Sequence, residues 1–178
     1  MRILDNFLPE ETFKPIQDFF LGTEITWNFN NTITNREVGL NGYQFVHPFF
    51  TINQPYMNRP TSPFADRLKP IMLKLAPLSL LRVKANLRPH TPELFLSDYH
   101  VDFELPCKTA IYYLNTNDGY TLFEEGTKVE SIENRIVIFD SHMRHLGTSC
   151  TDEKSRVVLN INYLPGKLFG GVEYVPEK

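Results

Sequence analysis

Two kinds of hydrophobic spacing divide the chain. Near the N-terminus apolar residues recur every three or four positions, and Phe13, Ile16 and Phe20 predict a helix that starts near Pro9 and stops at Gly22. A short strand over Arg2-Ile3-Leu4-Asp5 precedes it. A second helix is predicted with Ser62 as N-cap and Pro63 in its first turn. It carries Phe64, Leu68, Ile71 and Leu75 on one face, is kinked by Pro70 and ends at Pro77. Between the two, the region from Trp27 to Pro60 is rich in Asn, Thr and aromatic residues and is interrupted by Pro48, Pro55 and Pro60. It reads as strands and loops.

After Pro77 the period becomes two. Leu81, Val83, Ala85 and Leu87 alternate with Arg82, Lys84 and Asn86. Short strands are expected over Thr109 to Leu114, Tyr120 to Phe123, Thr127 to Ser131 and Arg135 to Phe139. Asn115, Asn117, Asp118 and Gly119 are expected to form a hairpin turn, while Glu124, Glu125 and Glu133 read as solvated turn charges. A last strand, Arg156 to Leu164, puts Arg156, Val158, Asn160 and Asn162 on one face and Val157, Leu159, Ile161 and Tyr163 on the other. Helices first and antiparallel strands afterwards predict an α+β, mainly β chain whose core is a jelly-roll-like double sheet.

Length and charge narrow this picture. The 178 residues suit one domain, with helical support over about 1–77 and a jelly-roll core over about 78–165. A formal net charge of -3 gives no reason to expect general attraction to nucleic acid. Cys107 and Cys150 are too few for a disulfide scaffold and are expected to be reduced. The first residues lack the apolar run of a secretory signal, and no stretch approaches the roughly 18 apolar residues that span a bilayer. A soluble, cytoplasmic protein without a membrane partner is the expectation.

Candidate chemistry lies in Tyr99-His100-Val101-Asp102. On a strand, His100 and Asp102 share a face roughly 7 Å apart at the backbone, and both side chains reach one metal ion. A third ligand must come from elsewhere, with His142 and His145 as candidates; Gly147, just after His145, favours the latter. Two His and one carboxylate leave coordination positions open, the pattern of non-haem Fe(II) oxygenases. Arg156 lies on the polar face of the last strand, where a buried guanidinium needs an anionic partner. Asp152 or Glu153 could supply it, or else the far carboxylate of a dicarboxylate cosubstrate.

The order His100-x-Asp102, Thr109-Ala110-Ile111-Tyr112-Tyr113-Leu114-Asn115, His145-x-Gly147 and Arg156 resembles the Fe(II)- and 2-oxoglutarate-dependent dioxygenases, and within them the prolyl-hydroxylase-like branch. The resemblance covers Leu81 to Leu164; the opening Ile3-Leu4-Asp5-Asn6-Phe7-Leu8-Pro9 is similar too, less specifically. It implies a double-stranded β-helix (jelly roll) with N-terminal helices packed on one sheet. It implies that His100, Asp102 and His145 bind Fe(II) and are catalytic, and that Arg156 binds the 5-carboxylate of 2-oxoglutarate. Tyr113 or Tyr112 would help hold that carboxylate, and Asn86 would be a further contact. This last position departs from the prolyl hydroxylases, which tend to have a tyrosine nearby.

The implied activity is hydroxylation of a C–H bond, with O2 as the other cosubstrate and decarboxylation of 2-oxoglutarate to succinate. Ascorbate is a further candidate cofactor. The expected substrate is a prolyl or other peptide residue ahead of a small molecule. Two alternatives are a cupin-like metalloenzyme without 2-oxoglutarate and a non-catalytic module that binds metal and 2-oxoglutarate. His47 and His90 flank prolines and are expected in loops or at the surface; Phe45, Phe49 and Phe50 are expected to pack rather than line a pocket. The region Trp27 to Pro60 and the segment Gly166 to Gly171 are candidate lids.

Overall fold

The computed structural model describes residues 1–33, 41–52 and 61–166. In chain order the elements are β1 (Arg2–Leu4), α1 (Glu10–Leu21), β2 (Asn28–Asn30), β3 (Gln44–Thr51), a 3-10 turn (Ala65–Leu68), α2 (Lys69–Leu75) and β4 (Pro77–Pro89). There follow β5 (Lys108–Tyr113), β6 (Tyr120–Phe123), β7 (Lys128–Glu130), β8 (Ile136–Asp140), β9 (His145–Gly147) and β10 (Ser155–Pro165). Among the described residues no helix is long and apolar enough to cross a membrane.

The strands form two antiparallel sheets, a large one in the order β1-β8-β5-β10-β4-β3-β2 and a small one in the order β7-β6-β9. The chain passes back and forth between them: β5 is in the large sheet, β6 and β7 in the small, β8 in the large, β9 in the small and β10 in the large. This is the jelly-roll winding that the alternating strands predict. It also corrects one turn. Asn117-Asp118-Gly119 is no hairpin, because β5 and β6 lie in different sheets. The segment is a corner fastened by amides: Asn115 donates to the Ser155 carbonyl (2.8 Å) and accepts from Val157 N (3.0 Å), and Asn117 accepts from Gly119 N (3.0 Å). Glu124-Glu125-Gly126, by contrast, does close a hairpin between β6 and β7, with Gly126 at φ +97°.

Each face of the large sheet has its own apolar layer. On one side Val83 and Ala85 of β4, with Val157, Leu159, Ile161 and Tyr163 of β10, pack against Phe13, Ile16 and Phe20 of α1 and Ile71 and Leu75 of α2. Burying side chains of this size contributes roughly 1.5–3 kcal/mol each. Between the sheets a smaller cluster joins Ile111, Tyr113, Val137, Phe139 and Val158 to Phe123 and Val129. This cluster fills only part of the space between the sheets. The remainder is the cavity described below.

The second helix differs from its sequence pattern. Residues Ala65–Leu68 form a 3-10 turn, and Pro70 falls in the first turn of α2, where its missing N–H costs nothing, so it starts the helix instead of kinking it. Ser62 Oγ accepts from Phe64 N (3.1 Å) and bonds the ring of His47 (2.7 Å). His47 is accordingly not a loop residue: it is buried in β3, its other ring nitrogen 2.6 Å from the Thr26 carbonyl. Phe49 is fully buried in the helix-side core and Phe50 packs against it. Phe45 meets Phe29 and Tyr43 edge-on, and none of the three phenylalanines lines the cavity. Both cysteines are free and buried.

Candidate metal and anion site

His100 and His145 are brought together by the backbone. Beyond β9 the segment leading to His100 runs alongside as a ragged further strand, through isolated bridges Leu96↔Thr148 and His100↔His145. The two histidines exchange both backbone hydrogen bonds (2.9 and 3.0 Å), and their rings lie 4.9 Å apart. Asp102 follows in a bend outside any strand, so the expected strand geometry gives way to a turn that brings its carboxylate back over the pair. The ligand atoms of His100, Asp102 and His145 all lie within 4.8 Å of one another.

The imidazoles are oriented for coordination. Nδ1 of His100 bonds the Asp98 carbonyl (2.9 Å) and Nδ1 of His145 the Met143 carbonyl (3.0 Å). A carbonyl only accepts, so each Nδ1 carries a hydrogen and each neutral ring keeps its Nε2 lone pair for a metal. Nε2 of His145 is 3.5 Å and Nε2 of His100 3.9 Å from the Asp102 carboxylate. That carboxylate also accepts from Arg82 (3.3 Å) and Asn160 (3.2 Å) on the large sheet. Burial pushes the pKa of Asp102 up, but His145, Arg82 and His100 outweigh it and hold the group ionised, well below the usual carboxylate range. Burial likewise opposes the charge on His145, and the Asp102 carboxylate beside its Nε2 more than compensates, raising its pKa; at His100 burial prevails and the pKa falls. His145 is closed in by Phe123 and Phe139, whereas the His100 side chain is 31% exposed and marks the open side.

Arg156 is 4% exposed. Its Nε donates to Ser131 Oγ (2.7 Å) and Nη2 to Thr121 Oγ1 (3.1 Å), and its guanidinium carbon lies 5.5 Å from the centre of the Tyr113 ring. Tyr113 donates to the same Thr121 hydroxyl (2.9 Å). Neither Asp152 nor Glu153 pairs with Arg156, and among the described residues no carboxylate does. Burial lowers its pKa, and the Tyr113 hydroxyl and the Cys150 thiol oppose the shift only in part. Tyr112 must be removed from the candidate anion contacts. It points to the opposite face, against Phe7 and Phe13, and donates to Asn134 Oδ1 (2.7 Å). His142 is exposed and outside the triad.

The triad and Arg156 face one cavity of about 330 Å³, which Asn86 also lines. Asn86 is buried and its Oδ1 has no partner among the described residues. Lys84 and Arg88 line the cavity as well and were not singled out by the sequence. Their signal is the β4 alternation, which places Arg82, Lys84, Asn86 and Arg88 on one face. From the candidate lid region, Ile33 and Gln44 reach the cavity; residues 34–40, 53–60 and 167–171 of the candidate lids lie outside the described residues.

Glycine makes room for Arg156. A Cβ at Gly119 would sit 2.6 Å from Arg156 Cδ and 2.5 Å from the Ser149 carbonyl oxygen. Backbone cannot yield cheaply there, so Gly119→Ala is expected to cost roughly 1–3 kcal/mol and to displace the guanidinium. Thermal unfolding should show a drop of roughly 2–4 °C per kcal/mol. Wild-type stability in this variant would show that the corner tolerates the methyl group.

No protein-family model matches the sequence, and no curated protein matches it. Similar solved structures do exist. A prolyl hydroxylase from Trichoplax adhaerens, solved with a hypoxia inducible factor peptide fragment, superposes with a TM-score of 0.63 at 15% identity, over 91% of this chain and 82% of that one. A 2OG-Fe(II) oxygenase family oxidoreductase from Burkholderia pseudomallei gives 0.63 at 10% identity, over 91% and 84%. A Pseudomonas putida prolyl-4-hydroxylase gives 0.56 at 15%, over 92% and 91%. Identities this low speak for the fold, and they agree with the winding of the two sheets: this chain has the jelly-roll fold of the 2-oxoglutarate–Fe(II) oxygenases, with prolyl hydroxylases among the structures it is similar to.

Proposed function

We propose that the protein is an Fe(II)- and 2-oxoglutarate-dependent dioxygenase. It hydroxylates a C–H bond, in a prolyl or other peptide residue ahead of a free small molecule, and converts 2-oxoglutarate to succinate. The observation that carries this reading is that a two-histidine, one-carboxylate cluster faces the same cavity as a buried arginine that has no carboxylate partner among the described residues. The donor set fits a divalent metal with open positions, since both Nε2 lone pairs and an ionised carboxylate converge from one side.

His100, Asp102 and His145 would hold the iron, which when bound supplies O2 activation coupled to decarboxylation of 2-oxoglutarate. Arg82 and Asn160 fix the carboxylate of Asp102, and the Asp98 and Met143 carbonyls fix the imidazoles. Arg156 would take the far carboxylate of 2-oxoglutarate, its guanidinium already held by Ser131 and Thr121 beside Tyr113. Asn86, whose Oδ1 has no partner among the described residues, lines the same cavity and would be a further contact to that molecule. The peptide bound to the Trichoplax prolyl hydroxylase supports a peptide substrate.

The test is succinate formation from 2-oxoglutarate by the purified protein with and without Fe(II) under air. Iron-dependent succinate is the expected result, even if slow without substrate. Metal binding with no affinity for 2-oxoglutarate would favour a cupin-like metalloenzyme, and binding of both without turnover a non-catalytic module.

A further inference from the structure

The cavity carries more positive charge than the proposed cosubstrate needs. On the inner face of β4 stand Arg82, Lys84, Asn86 and Arg88, in register with Asn162, Asn160, Val158 and Arg156 of β10. The described lining therefore holds four basic side chains and a single carboxylate, Asp102. A divalent metal and a 2-oxoglutarate dianion cancel each other, and Arg82 offsets Asp102 (3.3 Å). Lys84, Arg88 and Arg156 remain.

Each of these three has a different degree of internal support. Arg156 is held by hydroxyls, as described. Arg88 donates to the Gly147 carbonyl (2.7 Å) and the Phe95 carbonyl (3.2 Å) and lies against the Phe95 ring. Lys84 has no such partner: among the described residues its ammonium makes no hydrogen bond and no ion pair. Burial lowers its pKa, with Arg82 adding repulsion and Asp102 opposing it. Lys84 is half-buried at the cavity wall, so its ammonium has given up part of its hydration and is open to an anion that enters the cavity. Directly across from it stands Asn160, whose Nδ2 is engaged by Asp102 and whose buried Oδ1 has no partner among the described residues. The two together offer a cation and an acceptor beside the metal ligands.

We propose that Lys84 and Asn160 form a subsite for an anionic group of the substrate, a carboxylate or a phosphate with a neighbouring N–H or O–H donor. The oxyanion pairs with the Lys84 ammonium and the donor meets Asn160 Oδ1. The substrate is then an acid held by its charge next to the triad. This rests on reading the cavity as a 2-oxoglutarate-dependent active site.

The test uses the full chain loaded with Mn(II) and 2-oxoglutarate in the absence of O2, titrated calorimetrically with inorganic phosphate and with acetate. At least one anion should bind, Lys84→Met should weaken it by about tenfold or more, and Lys84→Arg should retain it. Affinity for 2-oxoglutarate should survive in Lys84→Met. Preference for phosphate marks a phosphorylated substrate, and preference for acetate a carboxylic one. Three results would overturn the subsite: neither anion binds, binding is undiminished in Lys84→Met, or 2-oxoglutarate is lost together with the anion, which assigns Lys84 to the cosubstrate. If 2-oxoglutarate fails to bind the wild-type protein, the proposed function fails separately. Phosphate and acetate titrated into the Mn(II)-loaded variants then still decide the role of Lys84.

Discussion

Asp102→Ala is expected to abolish both metal binding and iron-dependent succinate formation. Loss of a contact that only supports a ligand already costs roughly 10–100-fold in metal affinity or activity, and among the described residues Asp102 is the sole carboxylate of the cluster. It also joins the two sheets at the site: His145 and His100 approach it from the small-sheet side, and Arg82 and Asn160 from the large sheet. Without it two neutral imidazoles face a cavity lined by basic groups, which repels a dication instead of holding it. His100→Ala and His145→Ala should give the same loss. The measurements are Mn(II) titration and succinate formation on each variant, with circular dichroism to verify folding. A folded Asp102→Ala protein that binds Mn(II) like the wild type would remove the triad from the argument.

The residues that meet at this cluster could be read from the chain because their spacing is local or lies on a strand with clear alternation. His100-x-Asp102 needs only a short extended segment to share a face, and the bend at Asp102 achieves the same proximity by another route. The β10 alternation separates Val157, Leu159 and Ile161 from Arg156, Val158 and Asn160 without knowledge of any partner strand. The choice between Tyr112 and Tyr113 was different. Alternation guarantees that they face apart, but only the register of β5, with Tyr113 opposite Val158, decides which one faces Arg156.

What stayed hidden depends on which surface the fold covers. Arg82 and Lys84 show in the chain only as polar alternates of a period-two strand, and with Arg88 they become cavity lining because the chain crosses to a second sheet above them. The same crossing explains Asn117-Asp118-Gly119, whose residues suit a hairpin and a sheet-to-sheet corner equally well. His47 follows the same logic. Flanked by Pro48 it looks like a loop residue, and it is buried because Thr26 and Ser62, distant in sequence, close over its ring.

Arg156→Met is expected to separate binding from stability. A guanidinium that pairs with a carboxylate through two charge-assisted hydrogen bonds contributes about 3 kcal/mol or more, so 2-oxoglutarate affinity should fall about 100-fold or more. Folding should respond differently. In the absence of the dicarboxylate Arg156 is a buried cation whose bonds go to neutral hydroxyls, and its desolvation is only partly compensated. Methionine relieves that cost and fills part of the volume, while Ser131 loses a donor worth about 1 kcal/mol. Thr121 keeps its bond from Tyr113. These opposing effects should leave the melting temperature of the ligand-free protein within about 4 °C of the wild type, while the rise in melting temperature produced by 2-oxoglutarate disappears. Thermal unfolding of both proteins with and without Mn(II) and 2-oxoglutarate reads both effects at once. A variant that melts far below the wild type yet is still stabilised by 2-oxoglutarate would make Arg156 a structural residue and leave the cosubstrate to be held elsewhere.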